Sequence, residues 1–216
     1  MLLKILIFSV LIFLFSKFTY SQVTDIDGNT YKTVIIGTQE WMGENLNVEH
    51  YRNGDTIPEA KTKEEWLKYG NEKTGCWCYY ENDPINGEKY GKLYNWYAVN
   101  DYRRLAPEGW HVPNDTEWQT LVDTLGGDEV AGEKMKSISS WFENGNGTNE
   151  SGFTAFPGGG RYYGLFNTII KYGWFWSATE ISSDIAWYRG LYYESSHVYR
   201  DFENEKAGLS VRCVRD

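Results

Sequence analysis

Ten tryptophans, seventeen tyrosines and ten phenylalanines stand in a chain of 216 residues, and this aromatic load limits the possible folds more than any single motif does. Each ring is a large apolar volume that folding removes from water, so the chain can bury a core even if its strands and helices are short. Short elements are what the spacing demands, because 22 glycines and many Asn-, Asp- and Ser-rich turns punctuate the apolar segments. Lys+Arg number 21 against 30 Asp+Glu, and the resulting charge of -9 argues against nucleic acid as a partner and against attraction to an anionic membrane.

The first residues obey a different rule. Lys4 precedes an apolar run from Ile5 to Phe15, followed by Lys17 and the small residues Thr19 and Ser21. That run is about half of the ~20 residues a bilayer core requires. Residues 1–21 therefore read as a secretory signal cleaved before Gln22, with an uncleaved membrane anchor as the alternative. After cleavage no membrane insertion is expected, and the protein is placed outside the cell or on its surface. Lys4 and Lys17 leave with the signal and no acid does, which takes the charge from -9 to -11. Residues 22–216 are expected to form one domain, since no linker or fixed-period repeat divides them. In an oxidising compartment Cys76, Cys78 and Cys213 make one disulfide plus one free thiol the simplest arrangement. Cys76 and Cys78 are separated by one residue and would pair only in a strained ring, so a bridge from one of them to Cys213 is expected.

The local patterns read as α+β. Asp27-Gly28 marks a turn, residues 30–36 a β-branched strand, and Gly37-Thr38-Gln39 the tip of a hairpin returning through Trp41-Met42. Residues 62–68 read as a short helix, with Thr62 as cap and Glu65 three residues on. The segment 75–80 reads as extended, 82–87 as a loop and 93–99 as a buried helix. The clearest signal lies at 114–125, where Asn114 is a cap, Glu117 follows three residues later, and Trp118, Leu121, Val122 and Leu125 form one apolar stripe ended by Gly126-Gly127. A second short helix is expected over 128–136. Strands are expected over 153–156, 173–179, 186–193 and 208–214, in the last of which Leu209, Val211 and Cys213 alternate with Ser210 and Arg212. Helices thus fill the first two thirds, and a mainly antiparallel sheet gathers toward the end.

No catalytic constellation emerges. His50, His111 and His197 lack a second His or Cys at metal-ligand spacing, and His111 reads as a half-buried structural residue. Cys76-Trp77-Cys78 lacks redox-motif spacing, and Gly158-Gly159-Gly160-Arg161 lacks the ending of a phosphate loop. Asn82, Asp83, Asn86 and Glu88 offer oxygen ligands to calcium, but at spacings unlike a helix-loop-helix site, so no cofactor is assigned and calcium stays an open alternative. Flat aromatic rings stack on sugar faces and anchor protein interfaces. Trp187, Tyr188, Tyr192, Tyr193 and Tyr199 in the late strands are accordingly the candidate ligand contacts, with Arg161 beside the glycine turn.

Several segments carry a family pattern: residues 33–46 (TVIIGTQEWMGENL), 77–80 (WCYY), 90–99 (YGKLYNWYAV), 106–113 (APEGWHVP), Glu117-Trp118, 149–153 (NESGF), 156–159 (FPGG), 176–179 (WSAT) and the ending 209–216 (LSVRCVRD). In this order they resemble the Fibrobacter succinogenes major paralogous domain family along nearly the whole mature chain. The ending and the Val112-Pro113 start of the Trp118 helix are more distantly similar to the C-type-lectin-like fold, as in formylglycine-generating-enzyme relatives. The resemblance implies a secreted or surface protein on that fold. It brings no chemistry, because the paired catalytic cysteines of those enzymes and the calcium motifs of sugar-binding C-type lectins have no counterpart here. Cys78 and Cys213 fall in the matching segments and Cys76 does not, which implies that Cys78 pairs with Cys213. The expected function is a non-catalytic binding module for a glycan or surface protein. The alternatives are a structural surface component, or a hydrolytic or oxidative enzyme on the same scaffold.

Overall fold

The computed structural model describes residues 21–216, so the signal reading lies outside the described residues apart from Ser21. The described residues begin with β1 (Gln22–Thr24) and the hairpin β2 (Thr30–Ile36) and β3 (Gln39–Met42), turned by Gly37-Thr38 as the β-branched pattern predicts. Helix α1 (Lys63–Asn71) has the expected reciprocal cap: Glu65 N–H donates to Thr62 Oγ1, and Thr62 N–H donates to the Glu65 carboxylate. After β4 (Trp77–Cys78), the stretch expected to be a loop forms α2 (Pro84–Tyr90). Asp83 caps it, and Pro84 occupies the first position, where its missing N–H costs nothing. The helix expected over 93–99 divides into β5 (Leu93–Tyr94) and a single turn, α3 (Trp96–Val99), because the Asn95 side chain caps Ala98 and forces extended backbone before it. Then come β6 (Trp110–His111), α4 (Asp115–Thr124) with its Asn114–Glu117 capping box, and α5 (Asp128–Met135).

The second half is strand-rich: β7 (Gly160–Tyr162), β8 (Leu165–Asn167), β9 (Tyr172–Ser182), β10 (Ile185–Tyr192), β11 (Val198–Asn204) and β12 (Val214–Arg215). The two ends of the described residues meet in a five-stranded sheet ordered β1-β2-β3-β12-β6, while β11-β10-β9 form a three-stranded antiparallel meander and β4-β5 and β7-β8 form two two-stranded sheets. The fold is therefore mixed α and β, with mainly antiparallel sheets and few short helices. Two expected strands are weaker than the pattern implied. Residues 153–156 contribute one bridge, Ala155 to Lys136, and 208–214 makes isolated bridges from Leu209 to Tyr94, Gly208 to Arg161 and Ser210 to Phe175 before β12. Ser210 and Arg212 are as buried as Leu209 and Val211, because this last segment threads between β5 and β9 and has no solvent face.

So much irregular backbone in the interior leaves carbonyls that no ladder satisfies. Buried cations satisfy them. Arg212 is fully buried and donates to the carbonyls of Met42, Phe153 and Thr154 and to Asn45 Oδ1, tying the distant segments 42–45 and 153–154 to the last strand region. Arg161 donates to the carbonyls of Ala60, Thr62 and Gly164 and lies between the rings of Trp66 and Phe166. Lys92 donates to Asn47, and Lys136 to the carbonyls of Tyr192 and Ser195. The three cysteines are buried free thiols, so the implied Cys78–Cys213 bridge is not formed. Cys78 packs with Trp66, Tyr80 and Leu93, whereas Cys213 belongs to a different cluster with Trp110, Val112 and Val211.

Two buried groups are acids, Asp25, which accepts from Tyr31 and Asn29, and Glu205. Glu205 is 2% exposed, sits beside Tyr97, and has no donor for its Oε1. Burial, followed by the nearby Glu180 and Asp184 charges, raises its carboxyl from 4.5 to about 7, with Lys73 opposing. A carboxyl raised on folding contributes stability that is complete below its ordinary value of 4.5 and is lost as pH rises through about 7. Glu205→Gln is expected to flatten the loss of stability over that window and to raise stability at higher pH by about 1–3 kcal/mol. Urea denaturation of both proteins at a series of pH values measures it.

Candidate functional site

The register of the β9-β10-β11 meander decides which late-strand aromatics share a face. Tyr188 pairs with Trp176 and Asp201, Gly190 with Trp174 and Tyr199, and Tyr192 with Tyr172. Alternation then puts Tyr172, Trp174, Tyr188, Tyr192, Tyr199, Asp201 and Glu203 on one side. Trp187, Arg189, Arg200 and Phe202 lie on the other, toward α4 and α5. The first side begins as core at Trp176 and Ala186 and emerges from it at Tyr172, Tyr192 and Tyr199, which are half-buried.

The emerging rings form a continuous ladder. Tyr162 of β7 meets Trp174 edge-on at 5.3 Å, Trp174 meets Tyr172 at 5.3 Å, Tyr172 meets Tyr192 at 4.5 Å, and Tyr192 stacks on Tyr199 at 4.3 Å with ring planes 19° apart. Tyr193 and Phe142 extend it sideways through Tyr172. Gly190 lies in the middle of this surface: a Cβ there would stand 3.1 to 3.3 Å from Tyr192, Trp174 Cδ1 and Tyr188 together, and the three rings would have to give way by a few tenths of an ångström. The edge of Trp174 that faces Gly190 carries its indole nitrogen, and this Nε1–H is buried without an acceptor. Seven other tryptophans, Trp41, Trp66, Trp77, Trp96, Trp118, Trp141 and Trp176, do donate from theirs.

The rim is polar and acidic. Burial raises the phenols of Tyr162 and Tyr188 far above their ordinary range, and the neighbouring tyrosines with Asp201 and Glu203 push the same way. These hydroxyls stay protonated at any physiological pH and present donors and acceptors side by side. Past Tyr162 and Glu203 the surface dips into a cavity of about 170 Å³, lined also by Trp66, Asn204 and Lys206. Lys136 and Gly132 hold the β10–β11 turn from below, Lys136 through the carbonyls of Tyr192 and Ser195 and the Gly132 N–H through that of Ser196. The face is thus fixed before any ligand arrives, which reduces the ordering cost of binding.

The family model described as the Fibrobacter succinogenes major domain matches residues 34–215, from β2 to β12. The chain belongs to that family. No curated protein and no solved structure matches it. Within this Fibrobacter succinogenes major domain, the structure brings together Tyr188, Tyr192 and Tyr199 of the candidate contacts, with Tyr193 at the margin. Trp187 is separated from them: it lies on the opposite side, covered by the Arg200 guanidinium 3.5 Å from its ring centroid and flanked by Phe202. Arg161 is corrected outright, since it is 1% exposed and occupied by backbone carbonyls. Tyr188 is itself mostly core and offers the site little more than its hydroxyl edge.

Tyr162, Tyr172 and Trp174 complete the ladder and were not among the sequence candidates. Tyr172 and Trp174 stand two residues apart, a strand alternation that could have grouped them, whereas Tyr162 arrives from a hairpin that no local pattern ties to β9. Of the four polar residues that offered oxygens to calcium, Asp83 caps α2 and Asn86 donates to the Tyr80 carbonyl, while Asn82 Oδ1 is buried without a hydrogen-bond partner among the described residues. Among the described residues no three His, Cys, Asp or Glu side chains stand together as a metal site. His111 bridges Asp216 through Nδ1 at 2.6 Å and Glu117 through Nε2 at 2.8 Å, linking the chain's end to α4 as a structural residue.

Proposed function

We propose that this is an exported, non-catalytic binding module that holds a neutral glycan against the tyrosine ladder of its late sheet. The observation that carries the reading is the pre-set surface of half-buried rings, Tyr172, Tyr192 and Tyr199, packed one against the next and edged by protonated hydroxyls. A pyranose offers flat C–H faces to such rings and hydroxyls to such edges. Asp201 and Glu203 accept hydrogen bonds from sugar hydroxyls and repel polyanions, which selects for an uncharged chain. A C-type-lectin-like scaffold, carried by the ending and by the Asn114-capped helix, and a surface or secreted location belong to the same proposal. Binding without calcium is part of it, since the ladder needs no metal to present its donors.

Arrays of neutral oligosaccharides, followed by calorimetric titration of those that bind, provide the test. Tyr192→Ala removes the ring that touches both Tyr172 and Tyr199 and is expected to weaken binding about tenfold or more, as for a central aromatic anchor. Trp187→Ala on the opposite side is expected to leave the affinity within a factor of about two. Equal losses from both variants would contradict the assignment of the face.

A further inference from the structure

On another part of the molecule the loops 51–55 and 100–106 enclose a cavity of about 390 Å³ that none of the tyrosine-ladder residues lines. They are joined by the Arg52 N–H donating to the Arg104 carbonyl. The cavity floor is apolar, built from Val99, Leu105, Ala106, Val112 and Ala178 with Trp110 at its side. Tyr102 stands at the mouth 89% exposed, with the Arg103 guanidinium 5.7 Å from its ring centroid.

The charges around this cavity do not balance. Asp101 is the carboxylate in its lining, and Arg103 takes it in a two-pronged grip at 2.8 and 2.9 Å, with Asp55 on the third nitrogen and the Tyr51 ring beneath. His111 is matched by Glu117 and Asp216. Two guanidinium groups are left over. Arg52 donates to the carbonyls of Ala106, Pro107 and Trp110, which are uncharged acceptors, and among the described residues no carboxylate touches it. Arg104, with a backbone φ of 65°, is exposed and has no side-chain partner among the described residues. In a chain with 30 acids against 21 basic residues, two arginines beside one cavity that meet no carboxylate, Arg104 and Arg52 with its Nη1 uncommitted, are not explained by a shortage of acids.

We infer that this cavity is a second ligand site, taking a carboxylated sugar, a uronate unit, whose ring lies against Tyr102 and whose carboxylate meets Arg104 and Arg52. Guanidinium groups recognise carboxylates by paired, charge-assisted hydrogen bonds, and an exposed tyrosine with an apolar floor suits the face of a sugar ring. A partly desolvated Arg–carboxylate contact is also more selective than it is strong, so the site discriminates acidic from neutral units. This inference does not rest on the neutral-glycan reading of the tyrosine ladder, from which it differs in residues and in charge.

Calorimetric titration of the protein with oligogalacturonate, with the matching neutral galactose oligomer, and with inorganic phosphate tests it. The expected result is saturable binding of the uronate that weakens with added salt, and no saturable binding of the neutral oligomer or phosphate at this site. Arg104→Gln is expected to weaken uronate binding about tenfold or more, the loss of one charge-assisted contact, Arg104→Lys to lose less, and Tyr102→Ala to lose about tenfold as well. Both positions are exposed, and an unchanged thermal transition confirms that each variant folds. Tyr192→Ala is expected to leave uronate affinity unchanged, which keeps the two sites distinguishable. Uronate binding untouched by Arg104→Gln, phosphate binding equal to the uronate's, or no saturable uronate binding would each overturn the inference.

Discussion

Arg212→Met is expected to destabilise this protein more than any surface change, by about 3–5 kcal/mol out of the ~5–15 kcal/mol that holds a typical domain folded. The side chain is fully buried, and burial pulls its guanidinium down to about 9, so the protein keeps the charge there against a cost in solvation. What offsets that cost is four acceptors: three carbonyls and Asn45 Oδ1, at 2.5 to 3.0 Å. Methionine matches much of the volume but leaves all four without a donor, each worth about 1–3 kcal/mol when buried and unpaired. Lysine keeps the charge yet presents a single nitrogen, which cannot span segments that arrive from β3, from the 43–46 turn and from 153–154. Urea unfolding midpoints measure the loss. A decrease below about 1 kcal/mol would show that these carbonyls find other partners.

The second large effect is expected at Asp115, the first residue of α4. Its carboxylate takes Arg189 at 2.7 Å and Arg200 at 3.0 Å, pinning the helix to the side of the meander opposite the tyrosine ladder. Burial alone would raise its pKa, but the hydrogen bonds from Arg200 and Arg189 reverse this and hold it below the ordinary 3.8. Arg189 is 1% exposed, so Asp115→Ala leaves a buried guanidinium without a counter-charge and is expected to cost about 3–5 kcal/mol. Arg189→Met in the same protein is expected to return part of that loss, because it removes the stranded charge. The pair also sets an acid limit. A carboxyl lowered on folding contributes stability that is present above its unfolded value and lost as pH falls through the folded one, so wild type is expected to lose this contribution below about pH 4. The Asp115→Ala variant is expected to lack that component in denaturation curves taken across the acid range.

How much of this was legible in the sequence depended on distance along the chain. The caps at Thr62 and Asn114 were readable because donor and acceptor lie three residues apart, and the β2–β3 hairpin because its turn and alternation are local. Helix α2 was misread as a loop since Asn82, Asp83, Asn86 and Gly87 are turn residues by composition, although Asp83-Pro84 is a cap followed by a first-position proline. The alternation at 209–213 was real in sequence but not in burial, as both faces of that segment are enclosed. Arg161 and Arg212 were beyond local reading altogether: their acceptors lie up to 170 residues away, and a lone arginine carries no mark of the carbonyls it will meet. The same limit applied to the candidate site. The tyrosines of β10 and β11 were found from their strands, but that Trp187 faces the other way is a matter of register, and Tyr162 is contributed by a separate hairpin.

The central claim is that the tyrosine ladder with Trp174 at its middle is a glycan-binding surface, and the indole nitrogen itself can report on it. The ten tryptophans give ten indole signals in a ¹H–¹⁵N correlation spectrum, and the Trp174 signal is assigned by its disappearance in Trp174→Phe. During titration with a neutral oligosaccharide found on the arrays, the Trp174 signal is predicted to move saturably as a sugar ring packs on Tyr172 and Tyr192 and changes the surroundings of the indole beneath them. Those of Trp66 and Trp118, already bonded to the Lys206 and Trp176 carbonyls, are predicted to stay in place. Saturable binding that leaves the Trp174 signal unmoved would contradict the account.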